Sequence, residues 1–303
     1  MNVYVTSPGE NWILDRISQE FLTHKPDIST NNLQDADILW LLDGYSWRNL
    51  SLEFLKSKKI VLSVHHVTPK KFNLQEFSIR DQIVDLYHVP CQQTYNFIRQ
   101  FTLKPIEIVG YWYNSDLWKP LNKDKCRENL GLDKDKFIVG SFQRDTEGHD
   151  LKTPKLEKGP DLLCDYLQKI KDAGKDLHVL LGGWRRQYVI SKLEELDIEY
   201  TYREMAPLEE IHKMYGACDL YIVSSRYEGG PQAILEASSM KVPIISTKVG
   251  MAADILTENC LVDIKNDMYF PTKEDADKNF ENVIEYEIHN QLEKYEKMFR
   301  GIK

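Results

Sequence analysis

Two glutamates, Glu228 and Glu236, lie eight positions apart, with a Gly-Gly-Pro sequence at 229–231 between them. Glycines allow the backbone to approach a ligand closely, and proline suits the first turn of a helix because its missing N–H is not needed there. We therefore expect Glu228 in a loop and Glu236 inside the helix that follows. The unpaired N–H groups at the start of that helix predict a site for an anion such as a diphosphate.

The stretch from Tyr221 to Leu256 has the order strand, loop, helix, strand, loop, and it resembles the motif of glycosyltransferase family 4. The residues in register with that motif are Ser225, Glu228, Gly229, Glu236, Ala237 and Pro243. The sequence departs from it at Ser224, where the family often has proline, and at Lys241, where it often has glycine. The resemblance implies that Glu228 binds hydroxyls of the donor sugar and acts in catalysis, and that Glu236 binds the nucleotide ribose. It also implies substrate contacts for the residues around them, namely Ser225, Gly229, Gly230 and Pro231.

The family also pairs an arginine and a lysine after the first strand of its C-terminal domain, where they neutralise the leaving diphosphate. Here Arg144 follows the strand predicted at Phe137–Phe142, and Lys158 precedes the next predicted helix. A guanidinium can meet two phosphate oxygens with its planar fork, and an ammonium adds a compact charge. The resemblance implies catalytic roles for Arg144 and Lys158. Their spacing is longer than is usual in the family, so Lys155 remains an alternative for the lysine role.

No metal or other cofactor is expected. No Asp-x-Asp pair in a suitable setting is visible in the sequence. Arg144, Lys158 and the helix start after Gly229–Pro231 would therefore supply the positive field that Mg²⁺ supplies in other enzymes. The donor substrate is expected to be a UDP- or GDP-sugar, and the resemblance implies that the configuration of its sugar is retained.

Further substrate contacts follow from weaker similarities. The run at 179–183 resembles a family strand that ends in glycines, and 201–220 resembles a strand, loop and helix beside the nucleotide base. They imply that the following residues lie near the donor: Gly182, Gly183, Arg203, Met205 and, after a later strand, Gly250. In the N-terminal half, His65 and His66 follow a predicted strand and Gly9 lies in the loop after the first one. Ligands bind at such strand ends. We expect one histidine, preferentially His65 as a catalytic residue, and Gly9 to face the substrates.

Short apolar runs alternate with amphipathic stretches along the whole chain, which is typical of βα units around parallel sheets. Strands are predicted at 2–5, 38–42, 60–67, 86–89 and 106–109, and then at 137–142, 177–181, 199–202, 220–223, 243–246 and 260–262. With the resemblance, this pattern predicts the GT-B fold: two Rossmann-like, doubly wound α/β domains that face a cleft. The expected boundaries are an acceptor-side domain at 1–115, a linker at 116–135, a nucleotide-sugar domain at 136–271 and a helical segment at 272–303 that crosses back over both domains.

Composition narrows the possible partners. Residues 1–123 contain 13 basic and 13 acidic residues, so the whole excess behind the net charge of −8 lies in the rest of the chain. With a pI of about 5.6, a nucleic-acid partner is not expected. The lysines at 56, 58, 59, 70 and 71 leave a peripheral membrane contact open. Five widely spaced cysteines, with no signal peptide and no apolar run long enough to span a membrane, indicate reduced thiols and a cytoplasmic protein.

The expected function is that of a retaining, metal-independent hexosyltransferase with an unidentified saccharide, lipid or protein acceptor. Two alternatives stay open: a sugar-nucleotide epimerase of the same fold, and a non-catalytic protein that binds a sugar nucleotide. The charged residues Glu228, Glu236, Arg144 and Lys158 argue against the second alternative. A simple dehydrogenase is disfavoured because no Gly-x-Gly-x-x-Gly follows the first strand.

Overall fold

The computed structural model of the protein describes residues 1–10 and 12–302. The chain divides into two compact units, one formed by Met1–Trp112 together with Ile288–Lys303, and the other by Tyr113–Glu287. The last helix therefore belongs to the unit that contains the N-terminus. The domain and linker boundaries expected above stay a prediction.

Each unit contains five parallel strands. In chain order the strands are β1 (Val3–Val5), β2 (Ile38–Leu41), β3 (Lys59–Ser63), β4 (Leu86–Val89), β5 (Ile106–Ile108), β6 (Phe137–Phe142), β7 (Leu177–Gly182), β8 (Glu199–Arg203), β9 (Leu220–Val223) and β10 (Ile244–Ser246). The α-helices are α1 (Ile13–His24), α2 (Leu52–Lys56), α3 (Leu74–Asp81), α4 (Gln92–Ile98), α5 (Lys123–Leu130), α6 (Pro160–Asp172), α7 (Gln187–Glu195), α8 (Leu208–Ala217), α9 (Gln232–Ser239), α10 (Ala252–Ile255), α11 (Lys273–Val283) and α12 (Ile288–Arg300).

The first sheet has the order β1-β2-β3-β4-β5. A short extended segment at 28–30 also pairs with β1, since Val3 N donates to Ile28 O and Thr30 N donates to Val3 O. The segment and β2 thus pair with opposite edges of β1. After β1 the chain forms the segment on one side and then crosses to β2 on the other. This reversal makes the sheet doubly wound, and it opens a crevice at the carboxyl ends of β1 and β2.

Both faces of the first sheet are covered, which explains its uninterrupted apolar strands. Alternate residues of a strand point to opposite faces. Trp40 of β2 packs on Phe21 of α1 and Phe299 of α12, with 5.3 Å between ring centroids in each pair. Its neighbour Leu39 belongs to a buried cluster that includes Phe77 of α3 and residues from α2 and α4.

The second sheet has the order β10-β9-β6-β7-β8. Its core includes Val139 of β6, Leu163 of α6, Leu181 of β7 and Ile222 of β9, all essentially inaccessible. Strand order reverses between β6 and β9, so the crevice at the carboxyl edge of this sheet lies between the loops that follow these two strands. Those loops carry Arg144 and Glu228.

The structure differs from the sequence predictions at several elements. The predicted strand at Cys260–Val262 is wrong: Glu258–Cys260 form a 3-10 turn, and only an isolated bridge joins Leu261 to Ser246. Helix α3 was not predicted, because it is short, polar and buries only Phe77. The helical tail is two helices, α11 and α12, separated by a 3-10 turn at Ile284–Tyr286. The segment expected to be a linker contains α5, which begins after an Asn122 cap and ends at Gly131.

Candidate functional site at the carboxyl edge of the second sheet

An ion pair joins the two loops at the crevice of the second sheet. The Lys158 ammonium donates to Oε1 of Glu228, and the side chains are only 20% and 10% exposed. Ser225 Oγ donates to the same Glu228 oxygen at 3.0 Å. Three residues predicted from the sequence are therefore in direct contact, although they come from loops about 70 positions apart in the chain.

Lys158 is placed by a tight turn that allows only glycine at the next position. Leu156–Lys158 form a 3-10 turn, and Gly159 then adopts a left-handed conformation with φ of +61°. A Cβ atom on Gly159 would lie 1.9 Å from the carbonyl oxygen of Ser224. The Lys158 carbonyl accepts hydrogen bonds from Gln143 Nε2 at 3.0 Å and from Ser224 Oγ at 3.2 Å. Backbone of the Lys158 turn thus lies directly against the strand end that carries Ser225.

A second ion pair ties the same loops together behind Lys158. Arg226 donates two hydrogen bonds to the Asp161 carboxylate, at 2.7 and 2.6 Å, and its backbone N–H donates to Glu157 O. The Asp161 hydrogen bonds raise the pKa of Arg226. Burial acts to raise the pKa of Asp161, but the hydrogen bonds and charge of Arg226 outweigh it and hold that pKa below its usual value. Such bidentate pairs fix geometry as well as charge. Sequence analysis missed this pair, although Arg226 lies inside the motif and Asp161 lies in the first turn of α6.

The loop that carries Gly229 is supported by the loop after β10. Gly250 has a φ of +53°, and a Cβ atom there would lie 2.0 Å from Gly229 O. Met251 N donates to that same oxygen at 2.9 Å. Gly229 is buried and Gly230 is half-buried, and α9 begins one residue after Pro231. The predicted Gly250 therefore lies against the predicted Gly229.

Arg144 lies in the loop after β6 and is held from two sides. Its Nε donates to Thr146 O at 2.8 Å, and its guanidinium carbon lies 5.2 Å from the centre of the Trp184 ring. Cations lie favourably over aromatic faces at such distances. The nearby Lys155 is half-buried, and its backbone N–H donates to Asp145 O. The ammonium with a recorded contact to Glu228 is that of Lys158.

A buried ion pair that the sequence analysis missed supports this loop. Arg186 and Asp145 are both fully buried, and Arg186 Nε donates to Asp145 Oδ2 at 2.6 Å. The same guanidinium donates to the carbonyl oxygens of Ser141 and Gly182, at the ends of β6 and β7. Three consecutive polar positions, 185–187, follow the strand, and no sequence pattern distinguishes the arginine that becomes buried.

Glu236 lies inside α9, as expected, and is almost fully buried. Tyr215 donates its hydroxyl proton to Glu236 Oε2 at 2.9 Å. Burial raises the pKa of Tyr215 well above its ordinary value, and the Glu236 charge raises it further, so Tyr215 stays a hydrogen-bond donor. Tyr215 was not predicted as a site residue.

The remaining predicted donor residues lie on other strand ends of the second sheet. Gly182 ends β7, and the Gly183 carbonyl accepts from Tyr202 Oη at 3.0 Å. Arg203 ends β8, but its guanidinium pairs with Glu210 at 3.3 Å and donates to Leu130 O at 3.3 Å. Met205 follows in an exposed turn with φ of +48°. These two contacts of Arg203 go to α8 and α5, respectively.

In the first unit, His65 has a partner at each ring nitrogen. Nε2 faces the Leu42 carbonyl, which can only accept, so Nε2 carries the proton and Nδ1 accepts from the Tyr111 hydroxyl. Burial lowers the pKa of His65 to about 4. His66 is exposed. Gly9 has a φ of +73°, and its N–H donates to Asp15 Oδ1 at 2.8 Å, beside the start of α1.

Among the described residues, 1–10 and 12–302, no group of three or more His, Cys, Asp or Glu side chains is arranged to hold a metal ion. Within the same residues, no helix has the length and apolar character to cross a membrane.

Solved structures resemble the whole chain. The crystal structure of Anabaena HepE in complex with UDP and glucose has a TM-score of 0.76 and 13% identity, and the match covers 99% of both chains. A glycosyltransferase from Rickettsia africae has a TM-score of 0.70 and 16% identity, over 99% of this chain and 98% of that one. These likenesses concern the fold, and they confirm the predicted GT-B fold with two Rossmann-like domains.

Sequence comparison concentrates on the second half of the chain. The lipopolysaccharide core biosynthesis mannosyltransferase LpsB of Rhizobium meliloti is 26% identical over 145 residues, which are 46% of this chain and 39% of LpsB. The matches span less than two fifths of the length of each curated relative. The family model described as glycosyl transferases group 1 matches residues 123–300, more than half of the chain. The chain therefore belongs to the glycosyl transferases group 1 family.

Proposed function

We propose that the protein is a retaining, metal-independent glycosyltransferase of family 4 that moves a hexosyl group from a nucleotide-diphosphate sugar to an acceptor hydroxyl. The observation that carries sugar transfer from a nucleotide donor is the contact of Lys158, Glu228 and Ser225 at the crevice between β6 and β9. Retention and family 4 membership rest on the motif resemblance at 221–256. Open α/β sheets bind ligands at such a reversal of strand order. The Lys158 ammonium, which can bind a phosphate, therefore lies next to the Glu228 carboxylate, which can bind sugar hydroxyls.

Donor binding would exchange the partners within this contact. Lys158 leaves Glu228 for the diphosphate, and the released Glu228 carboxylate accepts hydrogen bonds from hydroxyls of the donor sugar. The turn around Gly159 and the Arg226–Asp161 pair keep both loops in place during this exchange. Pre-placed charges of this kind need little reorganisation when charge develops in the transition state.

The leaving diphosphate gains negative charge as its bond to the sugar breaks. Arg144, Lys158 and the backbone N–H groups at the start of α9 are the groups we assign to that charge. Arg144 is held over Trp184, and the loop that carries it is anchored by the buried Asp145–Arg186 pair. No step of this scheme requires a metal ion.

The nucleoside end of the donor is assigned to Glu236. A carboxylate can accept both ribose hydroxyls, and Tyr215 orients it by occupying Oε2. HepE was solved with UDP and with UDP-glucose, which supports a UDP-sugar as the first donor to test, ahead of a GDP-sugar. Gly182, Gly183, Met205 and Gly250 remain proposed as donor contacts. Arg203 is a weaker candidate because its contacts go to Glu210 and Leu130.

The first unit is proposed to hold the acceptor, with Gly9 and His66 near the substrates. His65 is neutral and has a partner at both nitrogens, so we assign it an orienting role on Leu42 and Tyr111 in place of proton transfer. The five buried, unpaired cysteines agree with reduced thiols, and we place the reaction in the cytoplasm.

Isothermal titration with UDP, GDP and ADP, followed by transfer assays with the matching sugars, tests this function. We expect UDP to bind and a UDP-sugar to be consumed only when an acceptor is present; turnover without acceptor would instead support the epimerase. EDTA should leave the rate largely intact, and strict restoration by Mg²⁺ or Mn²⁺ would contradict metal independence.

The same assay tests the assignment of the lysine. Lys158→Ala and Arg144→Ala should lower kcat more than they weaken UDP binding, because the charge they meet grows as the bond breaks. Lys155→Ala is the matched control from the same loop. Loss of activity in Lys155→Ala with normal activity in Lys158→Ala would assign the role to Lys155.

A further inference from the structure

A cavity of about 330 Å³ lies in the first unit beside the carboxyl end of β3. Its lining comes from the loops after β2 and β3 and from α3, and includes Gly44, His66, Thr68, Lys71, Asn73 and Arg80. Small-molecule sites have volumes from about 300 Å³ upward, so the cavity has room for one small ligand. The cavity lies at the carboxyl edge of a parallel sheet, and open α/β sheets bind their ligands at this edge.

Arg80 is the unusual member of this lining. Its Nη1 makes a long hydrogen bond of 3.4 Å to Gly44 O. Its Nε is buried and has no hydrogen-bond partner, and among residues 1–10 and 12–302 no carboxylate forms an ion pair with it. A buried donor on a charged group is costly when it is left without an acceptor. The guanidinium therefore has donor capacity that nothing within the described chain uses.

The acid of the lining does not neutralise Arg80. Glu76 lies on the same helix and lines the cavity, but its Oε1 is paired with Arg48 Nη2 at 2.5 Å. Lys71 adds a second cation to the lining. The lining therefore contains two cationic side chains, and the Nε donor of one of them, Arg80, has no acceptor.

We infer that this cavity binds the phosphate or carboxylate of an anionic acceptor, with Arg80 as the residue that selects it. This inference rests on the proposed function, because the acceptor is assigned to the first unit. A guanidinium donates two parallel hydrogen bonds to either group, and such contacts are stronger than those between neutral groups. The remaining volume and the polar side chains of Thr68 and Asn73 suit a hydroxylated ring next to the anion.

The test measures binding of glucose 6-phosphate and glucuronate, with glucose as the uncharged match, by isothermal titration. Saturating UDP is present throughout, so that the donor site does not bind the phosphate. Arg80→Gln removes the charge, and Lys70→Gln is the matched control because Lys70 is an exposed cation near the cavity that does not line it. We expect binding of at least one anion that is tighter than that of glucose and that Arg80→Gln weakens about tenfold or more, with Lys70→Gln close to wild type. Vesicles of phosphatidylcholine with and without phosphatidate distinguish a lipid phosphate from a soluble one.

If Arg80→Gln does not fold, NMR of the wild-type protein tests the same inference. In the ¹⁵N-labelled wild type, the Nε–Hε resonance of Arg80 should shift on addition of the bound anion and stay unchanged with glucose. Equal binding by wild type and Arg80→Gln, an unshifted Arg80 resonance, or no preference for any anion over glucose would overturn the inference. Failure of UDP to bind would instead count against the proposed function, and Arg80-dependent anion binding would then still be measured separately without UDP.

Discussion

Asp145 and Arg186 form an ion pair of 2.6 Å in which neither side chain is accessible to solvent. The pair connects the loop of Arg144 to the carbonyl oxygens at the ends of β6 and β7. Removing one partner leaves the other charge buried and uncompensated, which costs about 3–5 kcal/mol in other proteins. Asp145→Ala should therefore lower the free energy of unfolding by that order, measured by urea denaturation.

The control for this prediction is the pair of Lys241 with Asp277, whose side chains are each 42% exposed. Asp277→Ala should change stability by about 1 kcal/mol or less, because solvent screens exposed pairs. Equal effects of Asp145→Ala and Asp277→Ala would contradict the buried position of Asp145.

Gly159 and Gly174 provide a matched pair of left-handed glycines. Both have positive φ, at +61° and +79°, but a Cβ would meet the Ser224 carbonyl at 1.9 Å only at Gly159, and nothing within 4 Å at Gly174. Gly174→Ala should cost about 1–2 kcal/mol from the backbone conformation alone. Gly159→Ala should cost more than this and should also reduce transfer activity, because the clash displaces Lys158.

Urea denaturation and kcat of the two glycine variants check this prediction. Equal stability losses, with full activity in both variants, would mean that the loop after β9 does not constrain the turn of Lys158.

Glu236 and Glu228 should respond differently to truncation. Contacts of Glu236 with ribose would change little during the reaction, so Glu236→Ala should raise the donor KM by roughly 10–150-fold and leave kcat within a few-fold. Glu228 would contact the sugar that distorts, so Glu228→Ala should lower kcat as well. Steady-state kinetics at saturating acceptor measure both.

Tyr215→Phe separates positioning from folding at the same site. It removes the hydroxyl on Glu236 but keeps the buried ring, so a milder rise of KM is expected. If Glu236→Ala binds nucleotide normally and Glu228→Ala transfers sugar normally, neither glutamate has the assigned role.

His65 should make stability fall in acid. Its pKa is lowered from 6.5 to about 4 by burial, so below pH 6.5 the unfolded chain binds a proton that the folded chain does not. Stability is therefore highest above pH 6.5 and decreases toward pH 4, by at most about 3 kcal/mol from this residue. Burial lowers the pKa of His88 as well, which adds a contribution of the same sign.

Urea denaturation at several pH values, with His65→Gln and His66→Gln, isolates the His65 contribution. His65→Gln should flatten the slope between pH 6.5 and pH 4, while the exposed His66→Gln should leave it unchanged. An unchanged slope in His65→Gln would show that the His65 ring is not kept neutral by the fold.

Local sequence determined the elements and the main candidates of the site. The short apolar runs in the sequence predicted most strands to within a few residues, because strands buried on both faces need continuous apolar residues. The Glu-Gly-Gly-Pro segment predicted the helix start and the position of Glu236 within α9. Proline fixes a backbone conformation that suits the first turn of a helix, and glycine allows the loop conformations that precede it. Lys158 could be named because Lys158 and Gly159, before a predicted helix, resemble the Lys-Gly pair of the family.

Tertiary structure decided which side chains contact each other. The pairing of Lys158 with Glu228, of Arg226 with Asp161, and of Asp145 with Arg186 joins residues from separate loops, and such pairs depend on strand order, which no local pattern encodes. Strand order also determined that β6 and β9 flank the crevice. Burial decided the state of His65 and the unused donor of Arg80, because desolvation depends on everything packed around a group and not on its neighbours in the chain.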